Sequence, residues 1–594
     1  MPRRDPPPHF DPEPYRNELV SIIHAIEALP DEREPIKIQQ FDRILRLHPR
    51  DGVGFFSRSQ LLEGFRRFAA SEDFRLEEVE FARRVRVRRI RSLSGVTPVT
   101  VLTQPYPCPG KCVFCPNDVR MPKSYLSDEP GAQRAADNEF DPYRQAWSRL
   151  AAYRSIGHPT DKVELIILGG TWSFYPEAYQ RWFITRLFDA LNDFGAGIDG
   201  RMDAGPRPID FEALPARLDG RQHRANPYNQ LVRQHLVREG WEAPETGSAW
   251  ESLEAAQLRN ETAASRCVGL VVETRPDAVT LEEVERIRRL GATKVQLGIQ
   301  SLDDAVLHKN QRGHDTATTH RALRLLRRAG FKLHAHWMPN LLGATPASDR
   351  QDFARLFEDE RVRPDELKIY PCSLVESAEL VQHYEAGAWG PYAHQELLDL
   401  LVSALAKTPR WCRLTRVIRD ISSDDILVGN KLTNFRELAQ AELARRGLVG
   451  GDIRAREVRG QRVDAEELAL RETRYDVSGG TEHFLEFVTP ADELAAFLRL
   501  FLPEDAGEGG EVLEEVVGCA LIRELHVYGE ALPLGSTRGD ASQHRGLGRR
   551  LLAEARARSS HLCGLAVISA VGTRDYYRQN GFRDGVLYQH DRRG

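Results

Sequence analysis

The stretch PVTVLTQPYPCPGKCVFC, residues 98–115, decides the fold. It opens as a β-branched apolar run (98–103) and ends in a loop carrying Cys108, Cys112 and Cys115 in C-x3-C-x2-C spacing. Similar runs recur downstream: VELIIL (163–168), CVGLVVE (267–273), KVQLGI (294–299), KLHAHWM (332–338) and LKIY (367–370). Helical segments separate them. Thr280 and Glu283 make a capping box ahead of Val284, Ile287 and Leu290, with Gly291 ending that helix, and a second helix over 318–328 is closed by Gly330. Repeated strand–helix units predict a parallel sheet with right-handed crossovers, open or closed into a full or partial barrel. Chemistry in such folds gathers at the C-terminal ends of the strands.

The 594 residues carry a formal charge of −5 and a mean hydropathy of −0.46. At ~100–200 residues per domain the chain holds several domains. No apolar run approaches the ~18–20 residues that span a bilayer, and the N-terminus MPRRDPPPHFDPEP has no secretion-signal core. Eight cysteines in this length do not make a disulfide scaffold. These features exclude membrane, secreted and fibrous classes and lead us to expect a soluble cytoplasmic enzyme.

Residues 1–14 are Pro-rich and expected to be disordered. A helical unit reaches to about residue 95, with Leu19, Ile22, Ile23, Ile26 and Leu29 at helix spacing. At its end Arg83, Arg84, Arg86, Arg88, Arg89 and Arg91 crowd together without an acid. Guanidinium forks suit phosphate, although a solvated basic face reads the same way. The strand–helix domain occupies 96–371, interrupted at 195–262 by an insertion rich in Gly, Pro, Asp and Arg to which the sequence assigns no role. A mixed helical connector (372–455) follows. Strands return at 483–488 and 516–527, then a helix from about residue 546 and a final strand at 565–570, giving a second α/β domain over 456–594.

Three thiolates at this spacing can hold a 4Fe-4S cluster and leave one iron without a protein ligand. That iron can chelate the amino and carboxylate groups of S-adenosylmethionine and reduce its sulfonium, releasing a 5′-deoxyadenosyl radical. A zinc site would want a fourth ligand nearby, and three inert buried cysteines are the competing reading. The next strand ends in Gly169, Gly170 and Thr171, whose backbone can hold the methionine amine. Glu273, Arg275 and Gln300 end later strands, within reach of the ribose or carboxylate, or serve as structural hydrogen-bonding residues. In the second domain, QHRGLG places Gln543, Arg545, Gly546, Leu547 and Gly548 where successive amides and a helix N-terminus cradle a pyrophosphate. With Tyr576 and Tyr577 after the last strand, this describes an acetyl-coenzyme A binding acetyltransferase domain. Tyr577 is a candidate general acid toward the departing thiolate, or a core tyrosine. Cys267, Cys372, Cys412, Cys519 and Cys563 read as core packing. His334 and His336 share one face of a strand and read as satisfied strand histidines.

With CPGKCVFCPNDVRMPKSYLSDEPGAQRA, FDPYRQ, DKVELIILGGTWS, VVETRPD, LGIQS, LKIYP, RELHVYG, QHRGLG and GTRDYYRQNGF in order, the chain closely resembles the catalytic subunit of Elongator and its single-chain bacterial and archaeal relatives. The likeness runs from about residue 85 to the C-terminus, outside the insertion. It implies a partial TIM-like radical SAM barrel, a GNAT-type acetyltransferase domain and a helical N-terminal part that grips tRNA. It also implies an enzyme building 5-carboxymethyluridine at the wobble position of the anticodon. Lys162 matches a lysine that contacts acetyl-coenzyme A from the radical domain. Glu524, Leu525, His526, Val527, Leu547, Gly548, Arg549 and Tyr577 match contacts in the acetyltransferase domain. Many relatives carry a cysteine-rich zinc stretch before the Arg-Glu-Val of the connector. Here Gly450, Asp452 and Ala455 stand there, so no zinc is expected.

The expected cofactors are a 4Fe-4S cluster, S-adenosylmethionine and acetyl-coenzyme A. The expected partners are tRNA and an unidentified electron donor, with the chain a monomer or homodimer. In the implied reaction the adenosyl radical takes hydrogen from the acetyl methyl, the carbon radical adds to carbon 5 of uracil, and the thioester is hydrolysed. Two other readings stand beside it: a protein lysine acetyltransferase with a structural radical SAM domain, and a non-catalytic tRNA-binding scaffold.

Overall fold

Strands covered by helices on one face and facing a closed interior on the other show almost no exposed residues. That is the state of β3 (Arg266–Thr274) and β4 (Lys294–Gln300), whose apolar residues are buried along nearly their whole length. With β1 (Thr97–Leu102), β2 (Lys162–Leu168), β5 (Lys332–Trp337), β6 (Glu366–Ile369) and β8 (Arg413–Arg416) they form a seven-stranded sheet in the order β1-β2-β3-β4-β5-β6-β8. Pairing is parallel from β2 through β8. The sheet is the half-barrel expected from the strand–helix rhythm. The short strands β7 (Leu374–Val375) and β9 (Ile426–Val428) pair apart from it. This computed structural model describes residues 10–30, 36–85, 95–203, 209–215, 217–221, 227–419, 421–458, 463–505, 511–528 and 546–591.

Alternation along β5 assigns its faces. Trp337 packs edge-on against Phe353 of the helix Pro346–Glu358, so that side looks outward. His334 and His336 therefore look into the lumen. β8 lies inside the stretch read from sequence as a connector. Its RLTR is too short and charged to announce a strand, and Arg413 finds its partner in Glu457.

The second sheet runs β10 (Ala469–Val477), β11 (Gly480–Val488), β12 (Leu494–Pro503), β13 (Cys519–Val527), β14 (Gly564–Val567), then β16 (Gln589–Asp591) and β15 (Arg583–Asp584). The run at 564–567 is thus not the last strand: two short polar strands follow it. β10 to β13 are antiparallel, whereas β13 and β14 are parallel.

The chain divides into two compact units, residues 1–97 with 148–160, and residues 98–147 with 161–594. In the first, helices Arg16–Glu27, Ile38–Leu47, Arg58–Phe68 and Glu78–Val85 bury Leu19, Ile22, Ile23, Leu61, Leu62, Phe65 and Phe81. Two expectations need correcting here. Residues 10–14 are ordered, because Phe10 stacks on Tyr15 at 5.7 Å and meets Phe56 edge-on. Arg84 is not part of a basic surface: its guanidinium is buried and donates to the carbonyls of Ile26 and Leu29, both at 3.0 Å. Arg86, Arg88, Arg89 and Arg91 lie outside the described residues, as do Gln543 and Arg545. Among the described residues, no helix is long and apolar enough to cross a membrane.

Candidate active site

Beyond β1 the chain runs without regular structure to the helix Pro130–Asp137, and this loop brings the three cysteines together. Their surroundings are cationic. Arg312 Nη1 donates to Cys112 Sγ at 2.9 Å, and Arg275 Nη1 lies 3.8 Å from the same sulfur. Burial pushes the Cys112 thiol up, but Arg312, Arg275 and Lys123 outweigh it and leave the pKa lowered. Burial dominates at Cys115, which is pushed up to about 12, with Cys112 and Cys108 adding to the rise. Among the described residues, no three His, Cys, Asp or Glu side chains converge on a single-ion position.

The strand ends meet this loop. Cys108 Sγ lies 3.7 Å from Thr171 Oγ1, at the end of β2. Gly169 has φ +117°, and a Cβ there would stand 2.3 Å from Thr103 Oγ1. Only glycine fits. We expect Gly169→Ala to destabilise the folded chain by at least about 2 kcal/mol through strain and overpacking, read by denaturant unfolding. Gly170 also has positive φ, +51°. Gln300 ends β4 at φ +66°, and its buried Oε1 has no hydrogen-bond partner among the described residues. The buried ring of His314 has its Nδ1 3.8 Å from Asp277 Oδ1. Arg275 is bound to Asp277 (2.9 and 3.0 Å) and to the Arg312 carbonyl, so its guanidinium serves the cysteine loop. Sequence reasoning missed Arg312, which lies 200 positions from its cysteine and carries no local motif.

Glu273 faces the lumen, where its carboxylate lies 3.7 Å from His336 Nδ1. Burial raises its pKa, opposed by Lys368 and Arg419. His336 and Lys368 share the Gln296 carbonyl oxygen (3.2 and 2.5 Å), and burial lowers Lys368 to about 8. Deeper, Lys294 bridges Glu164 (2.7 Å) and Glu366 (3.1 Å), and Lys332 pairs with Glu366 (2.7 Å). His334 reaches Thr415 at 2.8 Å. The lumen is polar from end to end.

The second sheet has its own opening. β13 pairs with β14 only over Cys519–Ile522, and opposite Arg499 and Leu500 its register slips by one residue, at Arg523. A bulge bends its strand, and among the described residues Glu524, Leu525, His526 and Val527 have no pairing on the β14 side. Nearby, the helix Leu547–Arg558 begins at Gly546 in the left-handed region, φ +97°. Its N-terminal amides and dipole suit a phosphate. The Tyr576 hydroxyl lies where a Cβ on Gly548 would be 2.3 Å away, so Tyr576 meets the turn directly. Tyr577 is buried between Tyr576 and Phe582, and burial raises its pKa. Arg549 is exposed. The Glu524 carboxylate is held by Lys332 and by Arg499 at 2.9 Å.

This domain docks against the N-terminal ends of the barrel strands. Asp365, before β6, pairs with Arg523 at 2.5 Å and with Arg499 at 3.4 Å. Lys332 begins β5 and meets Glu524, and the Tyr588 hydroxyl donates to Ala329 O at 2.7 Å. Lys162, the first residue of β2, is on this side, whereas Gly169 and the cysteines are at the other end. Of the remaining cysteines, Cys267, Cys372, Cys412 and Cys519 are buried as expected, but Cys563 is exposed.

A parallel half-barrel with three thiols at one strand end defines a radical S-adenosylmethionine enzyme. The Radical SAM superfamily model matches residues 246–357, and the Radical_SAM C-terminal domain model matches 364–445. The chain is 38% identical to the tRNA uridine(34) acetyltransferase of Dehalococcoides mccartyi (strain CBDB1), over 84% of this chain and 98% of that protein. It is 34% identical to that of Methanocaldococcus jannaschii, over 94% and 95%. Among solved structures, the archaeal Methanocaldococcus infernus Elp3 with an N-terminal deletion matches with TM-score 0.65 and 31% identity, covering 84% of this chain and all of that one. The chain belongs to the family of tRNA uridine(34) acetyltransferases and Elongator complex protein 3. Radical SAM membership implies a 4Fe-4S cluster and S-adenosylmethionine. The residues present fit them: three thiols in cationic surroundings, glycines at the end of β2, and an orphaned Gln300 oxygen beside them.

Proposed function

We propose that this chain modifies uridine 34 of tRNA, joining the acetyl methyl carbon of acetyl-coenzyme A to carbon 5 of the base. The methyl loses a hydrogen atom to the 5′-deoxyadenosyl group, and the base adduct loses the carbon 5 proton and one electron, which returns to the donor that reduced S-adenosylmethionine. Water cleaves the thioester to leave 5-carboxymethyluridine and coenzyme A. When bound, a 4Fe-4S cluster on Cys108, Cys112 and Cys115 supplies one-electron reduction of S-adenosylmethionine, the chemistry needed to activate a methyl C–H bond. The observation that carries the reading is the meeting of Cys112 with Arg312 and Arg275 beside Gly169, Gly170 and Thr171. Cationic donors stabilise thiolate, and the glycines let backbone approach a ligand.

The other residues have binding and proton-holding tasks. Glu273 and Gln300 line the S-adenosylmethionine side. The amides at Leu547, Gly548 and Arg549 receive the pyrophosphate, and the unpaired edge of β13 from Glu524 to Val527 receives the pantetheine amides. Lys162 faces the same domain and positions the acyl end. Tyr577, kept protonated by burial, is the proton source for a departing thiolate, with Tyr576 holding the turn. Of the basic run, Arg83 and the arginines beyond residue 85, without the buried Arg84, contact the tRNA phosphates, and the anticodon base is splayed out for reaction.

The test is anaerobic reconstitution followed by mass analysis of tRNA nucleosides. Carboxymethyluridine is expected only when acetyl-coenzyme A, S-adenosylmethionine and reductant are all present. Acetylation of a peptide amine without reductant or tRNA, and no modified nucleoside, would overturn the reading in favour of a lysine acetyltransferase.

A further inference from the structure

We propose that the inserted segment between β2 and β3 is a clamp for the cysteine loop, and that Asn229 is its positioning residue for the iron–sulfur group. The proposal rests on the reading of Cys108, Cys112 and Cys115 as cluster ligands.

Asn229 lies in the first turn of the helix Pro227–Arg238. Its Oδ1 accepts from the backbone N–H of Cys108 at 2.9 Å, and its Nδ2 donates to the Cys108 carbonyl at 2.7 Å. The two contacts fix the peptide planes on both sides of Cys108. That fixes the Cα–Cβ direction and so the place of the sulfur. A carboxamide is suited to this because it offers a donor and an acceptor on one short arm. An aspartate would set a carboxylate against the carbonyl.

The neighbouring residue grips the far end of the same loop. Tyr228 is fully buried, its hydroxyl donates to Met121 O at 2.7 Å, and Lys123 Nζ lies 4.9 Å from its ring centre. The helix itself cannot drift, because Val232 and Leu236 belong to one core with Leu102, Val119 and Met121. A further strut comes from Leu218, whose N–H donates to Asn117 O at 3.1 Å. The loop needs such support. It has no ladder of its own between β1 and residue 130, and ligands on irregular backbone take their geometry from the shell around them. Asn229 serves the backbone of a ligand, as outer-shell partners serve ligand side chains, and their loss typically costs about 10- to 100-fold in metal affinity.

The experiment compares the full chain with Asn229→Ala and Asn229→Asp after anaerobic reconstitution with iron and sulfide. Iron and sulfide content, the rate of iron loss to a chelator and the EPR spectrum of the reduced protein are read alongside circular dichroism and thermal unfolding of the apo chains. The expected result for Asn229→Ala is native circular dichroism with iron loss accelerated about 10-fold or more and an altered EPR signal. Asn229→Asp, which keeps the acceptor, is expected to fall between. Should Asn229→Ala not fold, Asn229→Asp decides: faster iron loss than wild type supports the clamp. Variants that fill and hold iron like the wild type would overturn the clamp alone. A wild-type chain that takes up no iron and sulfide would remove the cluster reading and the clamp with it.

Discussion

Cys112→Ala is expected to abolish uridine modification, lowering turnover by at least about 1,000-fold, while tRNA affinity changes by less than about twofold. The asymmetry follows from where the residue lies. Its sulfur accepts from Arg312 at 2.9 Å and lies 3.8 Å from the Arg275 guanidinium, so under the proposed function removing it deletes a cluster ligand at the strand ends. The first unit has its own core, built from residues between Leu19 and Val85, to which Cys112 does not belong. The measurements are nucleoside mass analysis, iron content and tRNA binding under one salt condition. Modification at a normal rate would show that the cysteine loop has no part in the chemistry.

The second large effect concerns the junction of barrel and acetyltransferase domain. Asp365 is fully buried; it bonds Arg523, faces Arg499, and accepts from Leu333 N–H at 2.8 Å. Asp365→Ala leaves two buried guanidiniums short of an anion and is expected to cost about 3–5 kcal/mol in denaturant unfolding. Burial alone pushes this carboxyl up, but Arg523, Arg499 and Arg327 outweigh it and hold the pKa at about 2. An unfolded aspartate titrates near ~3.9, so the folded state binds fewer protons in that range. The stabilisation is therefore complete above about pH 4 and is lost as pH falls toward 2. The variant is expected to lack this acid-side slope. An unchanged slope would show that other carboxylates carry it.

Much of this was legible in the sequence because buried strands advertise themselves. CVGLVVE and KVQLGI are buried along nearly their whole length and rich in β-branched and aliphatic residues, and each is followed by a capped helix. β8 and β10 were not legible. Arg413–Arg416 is short and charged, and β10 exposes most of its ALRETRYDV to solvent. In the site, spacing alone singled out the cysteines, and Gly-Gly at a strand end singled out Gly169. Arg312 and Asn229 were hidden because their partners, Cys112 and Cys108, are 200 and 121 positions away and neither lies in a pattern. Arg84 misled for the opposite reason: it sits in a basic run yet turns inward to two carbonyls.

The acetyltransferase sheet adjoins one mouth of the barrel and the thiols guard the other. β2 alone, seven residues at about 3.3 Å each, spans the gap between Lys162 and Gly169. Between them the interior is lined by buried Lys294, Glu366, His334 and His336 rather than by hydrocarbon, and Lys294 and His334 lie 3.1 and 3.3 Å from the Glu366 carboxylate. Under the proposed reaction this charged network stands between the acyl carbon and the thiols, and bringing the two together takes either parting those pairs or passing outside the strands.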